Sequence, residues 1–204
     1  MIKSVIFDLG NVLVGFDRAK IAQKLGAAIG RDAQEYLARY ERDGIEDRVE
    51  RGHLSPCGLY NWFRVQGFDG SFDDFRTVWS DNFHEIEPVS RIFKALKGEV
   101  RLLILSNTNK VHYEFLADRF PFLRLADHAV LSHELGLRKP EPGIYRAALE
   151  AAGNVMPQEA LFIDDLKANV SAASALGINT VLLEKPELIE SYLNAFPLSI
   201  PAIH

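Results

Sequence analysis

The sequence predicts an α/β fold, a Rossmann-like doubly wound parallel sheet with a helical bundle cap inserted after the first strand. Two observations predict it. Short apolar runs end in polar residues at Asp8, Ser106 and Asp164, as buried parallel strands do at the crevice along their carboxyl edge. Beyond Pro88, strand-like runs alternate with helix-like stretches, the pattern of right-handed crossovers that cover both faces of one sheet.

The first strand is expected over residues 2–7, because Val5, Ile6 and Phe7 are β-branched or aromatic and stop abruptly at Asp8. Nothing strand-like follows before Pro88. Ile21, Leu25 and Ile29 recur at helical spacing, as do Tyr36, Leu37 and Tyr40. Ser55-Pro56 reads as an N-cap followed by proline at the first helical position, and Ser71 with Asp74 reads as a capping box. The second of these helices places Phe72, Phe75, Val78 and Trp79 on one face, which reads as bundle core rather than as a cofactor-stacking box. From there the alternation gives a helix over 88–97, a strand over 100–105, a helix over 109–120 and a short strand over 129–131. A helix over 142–152, a strand over 161–163, a helix over 167–176, a strand over 180–183 and a terminal helix complete it. The core is therefore expected over 1–15 and 86–204, and the cap over 16–85, above the crevice. An irregular tail is expected over 197–204.

At 204 residues and 48% hydrophobic content the chain can bury one substantial core and still carry a subdomain. A net charge of -5 without any basic run excludes nucleic acid and anionic membrane surfaces as expected partners. The single Cys57 rules out an internal disulfide and fits a reducing compartment. No stretch approaches the roughly 18 apolar residues that span a bilayer, and the start runs straight into a strand. A cytoplasmic location is expected. Oligomeric state is not legible.

Four segments carry chemistry. Asp8, followed by Gly10 and Asn11, suits in-line attack on phosphorus, since the small residue lets backbone groups approach. Ser106-Asn107-Thr108 caps a helix, and a hydroxyl beside free amides at a helix N-terminus also holds an anion. Lys139, fixed before Pro140, supplies the positive charge that lets a phosphate approach a carboxylate. Asp164 and Asp165 need a cation to be tolerated side by side. With Asp8 and the Gly10 carbonyl they form an oxygen-only site of the kind that suits Mg²⁺. The six scattered histidines offer no zinc site.

Phe7-Asp8-Leu9-Gly10-Asn11-Val12, Leu105-Ser106-Asn107-Thr108, Arg138-Lys139-Pro140 and Ile163-Asp164-Asp165 with Asn169 resemble, in order, the motifs of the haloacid dehalogenase superfamily, in its phosphatase branch with a helical cap. The Asp8 segment, Ser106 to Asn109 and Glu50-Arg51-Gly52 are further similar to bacterial glucose-1-phosphate phosphatases. The resemblance implies a phosphomonoesterase acting on a small phosphorylated metabolite, of the sugar-phosphate class. It implies that Asp8 is the nucleophile, that Ser106 and Asn107 bind phosphate and that Lys139 neutralises it. It also implies that Asp165 ligates Mg²⁺ directly, Asp164 through water, and that Asn169 orients Lys139 or the acidic pair. Asp17, Glu50 and Arg51 are expected to meet the substrate from the cap, although Asp17 reads more readily as the N-cap of the following helix. One departure stands out: Gly10 occupies the position where such phosphatases carry a second Asp as general acid and base. Two other readings follow, a catalytically weak binding domain and a haloacid dehalogenase, the latter opposed by the Asp164-Asp165 pair.

Overall fold

The computed structural model describes residues 1–198. Its centre is a five-stranded parallel sheet of β1 (Ser4–Phe7), β4 (Arg101–Ser106), β5 (His128–Leu131), β6 (Ala160–Asp164) and β7 (Asn179–Leu182), in the order β5-β4-β1-β6-β7. Alternate side chains go to opposite faces. Val5, Phe7, Leu102, Ile104, Leu161 and Ile163 feed one apolar cluster, whereas Ile6, Leu103, Leu105 and Phe162 feed the other. Helices α6 (Glu87–Ala95), α7 (Lys110–Arg119) and α11 (Ile189–Leu193) pack on the first face; α9 (Pro142–Ala151) and α10 (Lys167–Ala175) pack on the second. With β1 central, Asp8 leaves the sheet between the ends of β4 and β6, which terminate in Ser106 and Asp164.

Helices α1 (Arg18–Ala28), α2 (Ala33–Arg42), α3 (Ile45–Glu50), α4 (Pro56–Val65) and α5 (Phe72–Ser80) lie between β2 (Val14–Phe16) and β3 (Phe83–Glu85). These two strands correct the expectation that nothing strand-like precedes Pro88. They pair antiparallel, with Val14 opposite Glu85 and Phe16 opposite Phe83, and form a two-stranded ribbon where the chain leaves the sheet and returns. Three residues are too few to show a period of two, so only the pairing reveals them. The insertion buries its own apolar cluster, in which the Phe63 ring lies 5.2 Å from Phe75 and 5.4 Å from Trp79. Ser55 and Ser71 cap their helices as the sequence signals, and the Ser71–Asp74 box is reciprocal; Asp32 also caps α2. Helix α3 and the short α8 (Ser132–Leu135) carry no such signal. The expected tail lies, from residue 199 on, outside the described residues.

Candidate active site

Lys139 is the hub of the site. Its Nζ lies 2.7 Å from Asp8 Oδ1 and 2.7 Å from Asp164 Oδ2, and its side chain is 1% exposed. Both oxygens of Asp164 are occupied further. Oδ1 accepts from the Leu166 amide at 2.8 Å, and the Asn169 amide group donates to both oxygens at 3.0 Å. Asn169 is held in turn by the Tyr145 hydroxyl, which donates to its carbonyl at 3.0 Å. Asp8 Oδ1 accepts from the Leu9 amide at 2.6 Å. One ammonium thus serves two buried carboxylates, and negative charge is in excess. Burial pushes the Asp8 carboxyl up to about 7, with Lys139 pulling it back and Asp164 adding to the rise. Burial opposes the charge on Lys139, yet Asp8 and Asp164 together hold it above the usual lysine range.

Asp165 stands on the other side of this pair, half-buried, with its carboxyl raised by burial and by Asp164 and pulled down by a hydrogen bond from Asn11. Asp8, Asp164 and Asp165 each bring a carboxylate oxygen within 4.8 Å of the others. A purely oxygen donor set with one lysine against three carboxylates fits a hard divalent cation. Asp165 has the freer oxygens, whereas those of Asp164 are committed to Lys139, Asn169 and Leu166.

Two loops fix this arrangement. The Asn107 side chain accepts from the Lys139 amide at 2.8 Å and donates to the Lys139 carbonyl at 2.9 Å. The side chain of Asn107 thus clasps the backbone of the lysine loop, while the residue also lines the cavity beside Ser106. Ser106 is buried at the end of β4 and lines the cavity, while the Ser132 hydroxyl holds the following turn by accepting from the Thr108 amide at 2.9 Å. Above these groups lies a cavity of about 420 Å³, lined on the side of the inserted helices by Phe16, Leu25, Tyr36, Tyr40, Glu50 and Trp79.

A family model for haloacid dehalogenase-like hydrolases matches residues 2–177. The chain belongs to that family. Among curated proteins, a D-ribitol-5-phosphate phosphatase of Bacteroides thetaiotaomicron is 32% identical over 195 residues, covering 88% of this chain and 91% of that protein. Among solved structures, a HAD family enzyme of the same organism, in complex with magnesium and inorganic phosphate, superposes with a TM-score of 0.79 at 28% identity, covering 89% of this chain and 93% of that one. A HAD-like hydrolase of Porphyromonas gingivalis gives a TM-score of 0.79 at 25% identity over 98% and 100% of the two chains.

In this hydrolase the three cap residues singled out from sequence have different fates. Asp17 is exposed and caps α1, accepting from the Ala19 and Lys20 amides at 2.9 and 3.1 Å. It does not line the cavity. Arg51 turns away from the cavity to the lysine loop, donating to the Gly136 carbonyl at 3.0 Å and pairing with Glu141 at 2.5 Å. Only Glu50 faces the cavity, with its Oε2 lying 2.6 Å from Arg138 Nη2.

The hydrolase also contains groups that the motifs do not announce. Asn11 adopts φ 56°, a left-handed conformation that Asn tolerates better than most residues, and its Oδ1 accepts from the Phe16 amide at 3.4 Å. Arg138, which reads as an ordinary surface cation, joins Asp47 at 2.8 Å and Glu50, and so ties the cap to the residue next to Lys139. A Cβ at Gly10 would lie 2.9 Å from Phe16 Cε1, so the ring fills the space into which a side chain at position 10 would grow. Asn in a tight turn after a strand is a signal that could have been read. The Phe16 and Arg138 contacts bridge core and cap and have no local signature.

Proposed function

We propose that the protein is a magnesium-dependent phosphomonoesterase acting on a small phosphorylated metabolite of the sugar-phosphate class. The observation that carries this reading is Lys139 bridging Asp8 and Asp164 at 2.7 Å each beside Asp165, at the carboxyl edge of the sheet. Asp8 is the nucleophile: its carboxylate attacks phosphorus, the P–O bond to the leaving alcohol breaks, and water later releases phosphate from the aspartyl phosphate, a mixed anhydride. Lys139 offsets the phosphoryl charge, and Ser106 together with the main chain at Asn107 holds the phosphate oxygens. Asp8, Asp165 and the Gly10 carbonyl would hold Mg²⁺, with Asp164 acting through water. The ion supplies charge stabilisation for the transferring group. Asn169 positions Asp164 and, through it, Lys139.

The magnesium and phosphate bound to the Bacteroides HAD family enzyme support the metal and the anion, and similarity to a D-ribitol-5-phosphate phosphatase supports a polyhydroxylated leaving group. Gly10 favours esters whose alcohol leaves easily, as a hexose 1-phosphate does. The aromatic cap wall favours instead an ester with an apolar body. A panel of hexose 1-phosphates, polyol 5-phosphates and aryl phosphates decides among these classes. Phosphate release is expected with Mg²⁺, lost with EDTA and lost in Asp8→Asn. Metal-dependent release that persists in Asp8→Asn would overturn the assignment, and silence across the panel would favour a binding domain.

A further inference from the structure

We propose that Glu50 is the proton donor and acceptor of the reaction, brought in by the cap in place of the side chain that Gly10 lacks. This rests on the phosphomonoesterase reading above. The core loop cannot supply the group: position 10 has no side chain, and the Phe16 ring occupies the space that one would need.

Glu50 is placed to take over. It ends α3, lines the same cavity as Asp8 and Lys139, and keeps only 16% of its side chain exposed. Its one ionic partner among the described residues is Arg138, the chain neighbour of Lys139, so its position is fixed relative to the phosphoryl site rather than to the cap alone. The cap side brings one other carboxylate to the cavity wall among the described residues, Glu46, whose side chain is 44% exposed and paired with Arg18 at 3.1 Å, so Glu50 is the more enclosed of the two. The charged and titratable groups facing it are Arg138 and Lys139 from the lysine loop, Glu46 from its own helix, Arg18 from α1 and Tyr40 from α2. Among these influences burial dominates and pushes the carboxyl up to about 7, with Arg138 pulling it down. At neutral pH the group is therefore divided between its acid and its carboxylate form, as a residue that must first give and then take a proton requires.

The two steps balance. In the first, an Asp8 oxygen bonds to phosphorus, the P–O bond to the leaving group breaks, and that oxygen takes the proton of the Glu50 carboxyl, leaving as a neutral alcohol. In the second, Glu50 carboxylate removes a proton from water as its oxygen attacks phosphorus, the bond to Asp8 breaks, and inorganic phosphate and free Asp8 result. Glu50 ends protonated, as it began. With such a donor, a primary alcohol such as that of ribitol 5-phosphate becomes an acceptable leaving group despite Gly10.

The test compares kcat/KM of Glu50→Gln and the unsubstituted protein on two esters, ribitol 5-phosphate and p-nitrophenyl phosphate, because p-nitrophenolate leaves without a proton. For ribitol 5-phosphate kcat/KM falls by about 100-fold or more. For p-nitrophenyl phosphate it stays near the unsubstituted value. The alkaline limb of the ribitol 5-phosphate profile, set by loss of the Glu50 proton near pH 7, disappears in Glu50→Gln. In Arg138→Gln it moves to higher pH, because the charge that lowers the carboxyl is gone. Glu50→Asp, which keeps the acid, recovers part of the loss. Equal losses on both esters, a change in KM alone, or an alkaline limb that none of the variants moves would overturn the assignment and leave Glu50 a structural partner of Arg138. Silence of the unsubstituted protein on both esters would overturn the phosphomonoesterase reading itself.

Discussion

Lys139 concentrates the energetics of the site in one side chain. Its ammonium is the counter-charge of Asp8 and Asp164, and each of the three is buried. Lys139→Met therefore leaves two carboxylates without a partner, and removing one member of such a buried group costs about 3–5 kcal/mol. Urea unfolding at pH 7 checks this, and the deficit shrinks on acidification as Asp8, raised to about 7, takes up a proton. A deficit below about 1 kcal/mol would mean that the carboxylates are solvated rather than dependent on the lysine. These residues are legible in sequence because each ends an apolar run or sits in a rigid dipeptide. Phe16 and Arg138 are not, because what distinguishes them is what they touch across the core–cap boundary; Glu50 is reached only through its place in the Glu50-Arg51-Gly52 segment, which does not tell it apart from Arg51.

At the scale of elements, α3 and the lysine loop act as one unit. Asp47, Glu50 and Arg51 on and just after α3 engage Arg138, Gly136 and Glu141 on the loop, and the adjoining Gly52 lies so close to α8 that a Cβ would sit 2.2 Å from the His133 carbonyl oxygen. Gly52 also has φ 70°, so Gly52→Ala suffers both backbone strain and collision. It is expected to lower stability by about 1–3 kcal/mol and to raise KM by loosening the cap, measured by thermal unfolding and by kinetics on the preferred ester. An unchanged melting temperature would mean that α8 gives way at no cost. Sequence periodicity finds the long amphipathic helices α1, α2, α4 and α5. It passes over the six-residue α3 and the three-residue strands β2 and β3, whose existence depends on their partners.

At the scale of the whole molecule, His112 joins the apolar cluster of the insertion to the one on the first face of the sheet, meeting Trp79 on one side and Phe83 on the other. The imidazole stacks on Trp79 with ring centroids 5.2 Å apart, and its Nε2 lies 3.1 Å from the Trp79 carbonyl. Enclosure there pushes it down to about 4. The sign follows from the two states: the unfolded imidazole, near 6.5, binds a proton over a range where the folded one does not. Stability is therefore full above about pH 6.5 and falls as the pH drops towards 4, at up to about 1.4 kcal/mol per pH unit. Unfolding free energies at pH 7 and pH 5 are expected to differ less in His112→Gln than in the unsubstituted protein. An identical pH dependence would remove His112 from the account.

The ribbon of β2 and β3 has a consequence for how the chain finds its fold. Pairing of β1 with β4 joins Ser4 to Arg101, with the whole insertion in between. Once Phe16 has met Phe83, that long excursion is replaced, in the entropy of loop closure, by two short links from the ribbon to the sheet. Folding the insertion first thus shortens the effective path to the central strand pair, so the cap also serves as a bridge that lowers the entropic barrier to forming the sheet.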